Sequence, residues 1–495
     1  MVTPNSDALA FEAPEARPVP ATDETSEAPP ASGEREIKLA EREIKLAERE
    51  IEPAPIEPPA LGPVPVEPPS ANELRLRTVE ANIGVLRSRG LAHLTAEDER
   101  SDGRTLTLGS SRLVNFGSCS YLGLEVHPRL KAAAHDALER YGTQFSSSRA
   151  YVSTPLYGKL EGLLLQIFDA PGVVIAPTTT LGHSAALPVL IEERDAVMFD
   201  LYVHNSVQAV LPSLKQRGIH CEALPHKRMD RVAARAETLA KKYRRVFYLC
   251  DGVYSMHGDV LDVDTLYDAL DRVPALHAYV DDAHGLGWAG RCGAGVVLGR
   301  RKIHERMVVA FGLSKGMAAA GGVFVFADQA LARRVFTCGS SLIFSGPIQP
   351  PLLGAAVASA EVLLSDELEI LKGRLEARIE LFDKLAVGHG LLKERPAPTP
   401  IRFIEIGEEE TLMDLACALK RAGYFVNAAT FPAVARGRAG LRIMLNANQT
   451  LDDVRGLVQE IARLVGDGGT RHDTIPALPT PESLEALEGI SFQRG

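Results

Sequence analysis

The chain of 495 residues has six cysteines and no C-x-x-C pair among them. That excludes a zinc ribbon and a disulfide framework, and leaves reduced thiols as the expectation. Basic residues are not in excess either: 54 Lys and Arg stand against 64 Asp and Glu, net charge −10, so the electrostatic footprint of a nucleic-acid-binding surface is missing. No uncharged apolar stretch approaches the roughly 18 residues that a spanning helix needs. The opening MVTPNSDALAFEAPEARP carries neither the basic patch nor the apolar core of an export signal. The expectations are therefore a cytoplasmic enzyme with no transmembrane segment, no nucleic-acid partner and no metal.

The acidity is uneven. Residues 1–72 hold 15 Asp and Glu against 6 Lys and Arg, 14 of the 32 prolines and a single aromatic residue. Such a composition buries too little apolar surface to offset chain entropy, so a disordered extension is expected there. Inside it, EREIKLAEREIKLAEREIEPA repeats every seven residues, with Ile37, Ile44 and Ile51 at one heptad position and Ala40 and Ala47 at another. About three heptads with alanine in the seam, stopped by Pro53, fall short of a self-sufficient coiled coil. The rest of the chain is nearly neutral and divides into an arm over 73–130, a large domain over 131–355, a smaller α+β domain over 356–466 and a Pro/Gly/Glu-rich flexible tail over 467–495.

Between these ends, short apolar runs alternate with helical stretches: Val173–Ala176, Ala196–Phe199, Val246–Leu249, Ala278–Val280, Met307–Ala310 and Val323–Phe326. Continuous apolar runs mean strands covered on both faces, and intervening helices mean a mostly parallel sheet, an α/β fold. The runs empty at their C-terminal ends into PTTTLGH, DLYVHNS, CDGVYSMHGD, DDAHGLG and GLSKG. In open α/β sheets the ligand crevice lies beyond those ends, so these segments are expected to converge on one site.

Two residues carry the chemistry. Asp281, ending a buried strand with His284 three residues on, suits a ligand with a protonatable ring nitrogen, because a carboxylate keeps such a nitrogen charged. A protonated pyridine is the electron sink of pyridoxal phosphate. Lys315, between an apolar strand and a glycine-rich turn, is where a solvated surface lysine has no reason to be; it suits an amine that carries the cofactor covalently. The bland alternatives are a structural Asp capping the next helix and an ordinary surface lysine. Asp282 is expected to point to the other side of the strand. Gly312-Leu-Ser-Lys-Gly316 also fits G-x-S-x-G, which makes Ser314 a rival nucleophile, with only His389 and His472 downstream to complete a triad.

From about Asn115 to Thr450 the chain resembles the α-oxoamine synthases among the fold-type I pyridoxal-phosphate enzymes. The resemblance rests on NFGSCSYLGLEVHPRL, on DGVYSMHGDVLDVDTLYDAL and on VDDAHGLGWAGRCGAGV. It implies a large domain with a smaller C-terminal one, pyridoxal phosphate on Lys315, Asp281 on the pyridine nitrogen, His284 at the phenolic oxygen with Ser255 nearby, and His204 stacked on the ring. It further implies phosphate contacts at Thr179 and Thr180, and Arg442 on the amino-acid carboxylate. The reaction implied is condensation of an amino acid with an acyl thioester of CoA or of a carrier protein, usually with decarboxylation, in a homodimer. The segment SSLIFSGPIQPP, with Ser345, would reach the neighbour's phosphate.

The departures lie on the phosphate and substrate sides. Gly312 stands where the family has a threonine phosphate ligand, with Ser314 or the threonines of PTTTLGH as possible substitutes. Thr178 to His183 replace a Ser-Gly-aromatic-x-x-Asn turn, Cys119 takes the place of a polar substrate contact, and Gly158 that of a histidine. An aminotransferase or aldolase of the same fold, and a silent partner subunit, are the other readings; the presence of Lys315 argues against the last.

Overall fold

The computed structural model describes residues 70–467. The heptad repeat and all but the last three residues of the expected acidic extension lie outside the described residues, as does the expected tail beyond 467.

All six apolar runs are strands of one seven-stranded sheet, here β1 (Gly172–Ala176), β2 (Ala196–Asp200), β3 (His220–Leu224), β4 (Val246–Asp251), β5 (Leu276–Asp281), β6 (Met307–Gly312) and β7 (Gly322–Phe326). The order is β1-β7-β6-β5-β4-β2-β3. Neighbours are parallel except around β7, which runs antiparallel to both β1 and β6. The sheet is mostly parallel, as expected, with two features that the apolar runs do not foretell. β7 presents its N-terminal end, Gly321 and Gly322, to the side where the other strands end. β3 was not anticipated, because HCEAL is a half-exposed edge strand whose polar residues break the continuous apolar signature of the buried ones.

Alternation along the central strands feeds two cores. Val246, Tyr248 and Cys250 of β4 and Ala278 and Val280 of β5 face one core, shared with the helices Pro155–Phe168, Met229–Ala240, Val263–Arg272 and Pro350–Leu363. Phe247, Leu249 and Tyr279 face the other, shared with Thr179–Leu190 and Gln329–Cys338. In Pro155–Phe168 the buried residues Tyr157, Leu160, Leu164 and Ile167 recur at three- and four-residue steps, the single stripe of a helix lying on a sheet. Each such side chain contributes about 1.5–3 kcal/mol on burial.

The C-terminal part is α+β. Ile401–Gly407, Ala439–Met444 and Asn427–Ala429 form an antiparallel sheet, with helices Glu409–Arg421 and Leu451–Asp467 beside it. The hairpin of Thr105–Leu108 and Ser111–Asn115 takes Tyr424–Phe425 as a third, parallel strand, so the arm before the large sheet is tied to the C-terminal α+β part. Arg402 and Asp383, each 1% exposed, meet fork to fork at 2.6 and 2.8 Å. Arg402 Nη1 also donates to the carbonyls of Thr399 and Ile401, and this satisfaction is what makes a buried pair tolerable.

Candidate active site

β1, β2, β4, β5 and β6 are parallel and end on the same side of the sheet, so the residues that follow them meet. Lys315 lies in the turn after β6, half-buried, while Ser314 beside it is exposed and makes no hydrogen bond among the described residues. The turn is held by Leu313 N–H on the Gly321 carbonyl and Ala319 N–H on the Leu313 carbonyl, both 3.0 Å. A Cβ on Gly316 would come within 2.1 Å of the Leu286 carbonyl oxygen. Only glycine lets the lysine turn lie against the AHGLG turn after β5.

Asp281 ends β5, almost fully buried. Its Oδ1 accepts from Ala283 N–H at 3.1 Å, and its Oδ2 lies 3.0 Å from His183 Nε2. Burial opposes its ionisation, but adjacent His183 and Lys315 outweigh burial and hold the carboxyl well below the ordinary range. Asp251, beside it in register on β4, is pushed the other way, well above that range, by burial and by the charge of Asp281. Asp251 Oδ1 accepts the backbone N–H of His204 at 3.0 Å. His204 Nδ1 meets Ser206 Oγ at 2.7 Å, and burial lowers the pKa of its ring. His284 is buried with its Nδ1 2.6 Å from Tyr121 Oη, and burial, then the Lys315 and Arg442 cations, hold it well below the usual histidine range.

Thr178 caps the helix Thr179–Leu190, its Oγ1 accepting from Leu181 N–H at 3.1 Å. The N–H groups of Thr179 and Thr180 at that helix start take no partner within the helix, the usual condition of an anion-binding terminus. A Cβ built on Gly312 would lie 3.4 Å from both Lys315 Nζ and Thr179 Oγ1, so the threonine hydroxyl of the helix borders the space left by the missing side chain. Arg442, from the C-terminal sheet, donates its Nε–H to the Ser255 carbonyl at 2.7 Å. Ser255 thus enters the cluster through its backbone. Cys119, half-buried against the core, interacts with buried Tyr121.

Some expected residues stand apart. Ser345 gives its hydroxyl to the Ser341 carbonyl of its own segment and makes no described contact with Lys315. His389 is the exposed cap of the helix Glu367–Gly388, and no histidine is bonded to Ser314, so the hydrolase reading has no triad among the described residues. Asp282 faces away from Asp281: its Oδ2 accepts from Val296 N–H at 2.7 Å in a slot that a Cβ on Gly252, Gly285 or Gly295 would fill. His183, Tyr279, Asp251 and Tyr121 were not singled out from the sequence. His183 had one signal, its place in PTTTLGH at a strand end.

Lys315 offers an amine, Asp281 an anionic acceptor and the Thr179 helix start a pair of free N–H donors, a donor set that fits pyridoxal phosphate. Sheet topology and site together define a fold-type I pyridoxal-phosphate enzyme. The family model of aminotransferase class I and II matches residues 111–461. An 8-amino-7-oxononanoate synthase of Coprothermobacter proteolyticus is 27% identical over 77% of this chain and 95% of its own, and that of Symbiobacterium thermophilum 28% over 71% and 88%. Among solved structures, the serine palmitoyltransferase of Sphingomonas wittichii superposes with TM-score 0.73 at 18% identity, covering 80% of this chain and 98% of its own. The 8-amino-7-oxononanoate synthase of Francisella tularensis superposes with TM-score 0.61 at 21%, covering 72% and 99%. The chain belongs to the aminotransferase class I and II family and, with a putative 8-amino-7-oxononanoate synthase of Desulforudis audaxviator 31% identical over 79% of this chain and 97% of its own, to the α-oxoamine synthases within it. It is a pyridoxal-phosphate-dependent acyltransferase that joins an amino acid to an acyl thioester.

Proposed function

We propose that Lys315 would hold the cofactor through its amine and take the proton from the amino acid's α-carbon. Pyridoxal phosphate, when bound, supplies the sink for the electrons left at that carbon. Arg442 holds the substrate carboxylate with the part of its guanidinium not engaged by Ser255. Asp281 would accept from the ring nitrogen, His284, with Ser255 nearby, would hold the phenolic oxygen, and His204 would stack on the ring and orient the thioester carbonyl. Thr179 and Thr180 take the phosphate, with Ser314 at its edge. Cys119 lines the substrate side.

The bonds balance as follows. The α-carbon gives its proton to Lys315 Nζ, a carbon–carbon bond forms to the thioester carbonyl, and the thiol of CoA or of a carrier protein leaves as that carbonyl re-forms. Loss of CO2 from the resulting β-keto acid leaves an electron pair at the α-carbon, which takes a proton back from Lys315 Nζ to give an α-amino ketone. The observation that carries this reading is the convergence on the lysine turn of Asp281, whose carboxyl His183 and Lys315 hold below the ordinary range, with Asp251 beside it in register, whose carboxyl burial and the charge of Asp281 push the other way. Pairs pushed apart in this way mark acid–base sites.

The assembly proposed is a homodimer completed through the segment around Ser345. Its support is that Phe344 and Tyr151, 86% and 88% exposed, lie on segments joined by Ser148 Oγ–H on the Ile343 carbonyl at 2.7 Å. Cytoplasmic location is proposed with it; among the described residues no helix is long and apolar enough to cross a membrane.

The test is the purified full chain with pyridoxal phosphate, small amino acids and a series of acyl-CoAs. Amino-acid-dependent release of free thiol, with CO2, is expected. A keto acid formed without thiol release would replace this reading by an aminotransferase.

A further inference from the structure

His183 fills a position that the mechanism leaves without a task. On β5 the i, i+2 spacing sets Tyr279 and Asp281 on one face of the strand, and His183 bridges them from the helix Thr179–Leu190. Its Nε2 is 3.0 Å from Asp281 Oδ2 and its Nδ1 2.6 Å from Tyr279 Oη. The imidazole is 0% exposed and Tyr279 1%. Phe324 packs edge-on to the ring at 5.5 Å and 87°, in space open only because residue 182 has no side chain: a Cβ there would lie 1.9 Å from the Phe324 ring.

The hydrogen-bond accounting has one complete solution. The ionised Asp281 can only accept, so Nε2 carries the proton; Tyr279, with no other partner among the described residues, donates to Nδ1. With the opposite tautomer two lone pairs would face each other at 3.0 Å and Nδ1–H would compete with the phenol.

We propose that Tyr279 and His183 are a positioning pair that fixes the Asp281 carboxylate as an oriented, acceptor-only anion, and so sets how strongly the cofactor's ring is kept protonated. His183 replaces the asparagine of the turn described above. An amide can donate to Asp281 as well; the longer imidazole reaches both Asp281 at 3.0 Å and Tyr279 at 2.6 Å, and so ties the carboxylate to a second buried residue. The other charged or titratable groups facing Asp281 are Asp251 from β4, His204 from the turn after β2 and Lys315 from the turn after β6. The inference rests on Asp281 pairing with the ring nitrogen, and the experiment separates the two.

The full-length wild type and the variants Tyr279→Phe, His183→Leu and His183→Asn are loaded with pyridoxal phosphate or with its analogue bearing C–H in place of the ring nitrogen. Equilibrium cofactor affinity, the pH titration of the cofactor's visible band, and kcat and KM are measured. Tyr279→Phe, which removes one hydroxyl and no packing volume, keeps its melting temperature within a few degrees. With pyridoxal phosphate it shifts the midpoint of the band titration and lowers kcat about fivefold, the scale of one hydrogen bond between neutral groups. KM for the amino acid stays within twofold. His183→Leu loses more and His183→Asn recovers most of the loss. With the analogue, all four proteins turn over alike.

Variants matching wild type in band titration and kcat, or losing the same factor with both cofactors, would show a merely structural role and overturn the proposal. A wild type indifferent to the change of cofactor would overturn the assignment of Asp281 beneath it as well.

Discussion

Arg442 and Ser255 are joined across the two parts of the molecule: the guanidinium Nε–H of the C-terminal strand donates to the carbonyl after β4 at 2.7 Å. This fixes one edge of the fork, and its Nη groups make no hydrogen bond among the described residues. Arg442→Lys keeps the charge and loses the planar fork. KM for the amino acid is expected to rise about tenfold to a hundredfold, with a smaller change in kcat, by steady-state kinetics.

Lys315→Ala and Ser314→Ala distinguish the two mechanisms contained in GLSKG. The first is expected to lower turnover by at least about a thousandfold and to abolish borohydride-fixed cofactor. The second leaves kcat within about threefold, since Ser314 is exposed and approached by no base. A dead Ser314→Ala enzyme with a live Lys315→Ala one would reverse the assignment.

Thr179 Oγ1 borders the empty side-chain position of Gly312. Thr179→Ala is expected to weaken pyridoxal phosphate binding about tenfold in an equilibrium titration. Adding Gly312→Thr to that variant should restore part of the loss. In the wild-type background the same substitution meets Ala283 Cβ at 3.3 Å and Lys315 Nζ at 3.4 Å, and is expected to cost affinity. Additive losses in the double variant would refute the exchange of roles.

Asp282 gives a pH signature. Burial, only partly opposed by the N–H groups of Val297 and Val296, pushes its carboxyl up to about 8. Because the folded value lies above the unfolded one, its contribution to stability is complete below the unfolded value near 4 and is lost as pH rises through about 8. Asp282→Asn removes the dependence. Between pH 7 and 9 the wild type is expected to lose about 1 kcal/mol more stability than the variant in urea denaturation. Parallel curves would show that Asp282 is ionised throughout.

Phe344→Glu tests the assembly. A charge on a ring 86% exposed costs the isolated chain little, but at a subunit contact it would be desolvated unpaired. Light scattering is expected to give a dimer for the wild type and a monomer for the variant. Equal masses would exclude Phe344 from the contact.

The residues of the site were legible wherever one strand and its following turn sufficed. Lys315, Asp281, His284 and His204 each follow an apolar run, and the ends of parallel strands must meet. The same signal failed for β3, where half-exposure at the sheet edge puts His and Glu into the pattern, and for the direction of β7, since an apolar run is the same in either sense. The engagement of Ser255 through its carbonyl rather than its hydroxyl depends on packing that no motif spells out.

Composition and periodicity by themselves therefore determined an α/β chain with a lysine and an aspartate at strand ends, because burial on two faces and strand direction are local properties of a run. Only the tertiary structure decided that His183 stands between Tyr279 and Asp281, and that the carboxyls of Asp251 and Asp281 are pushed in opposite directions. Those depend on which face of a helix meets which face of a strand, and on the field of charges far apart along the chain.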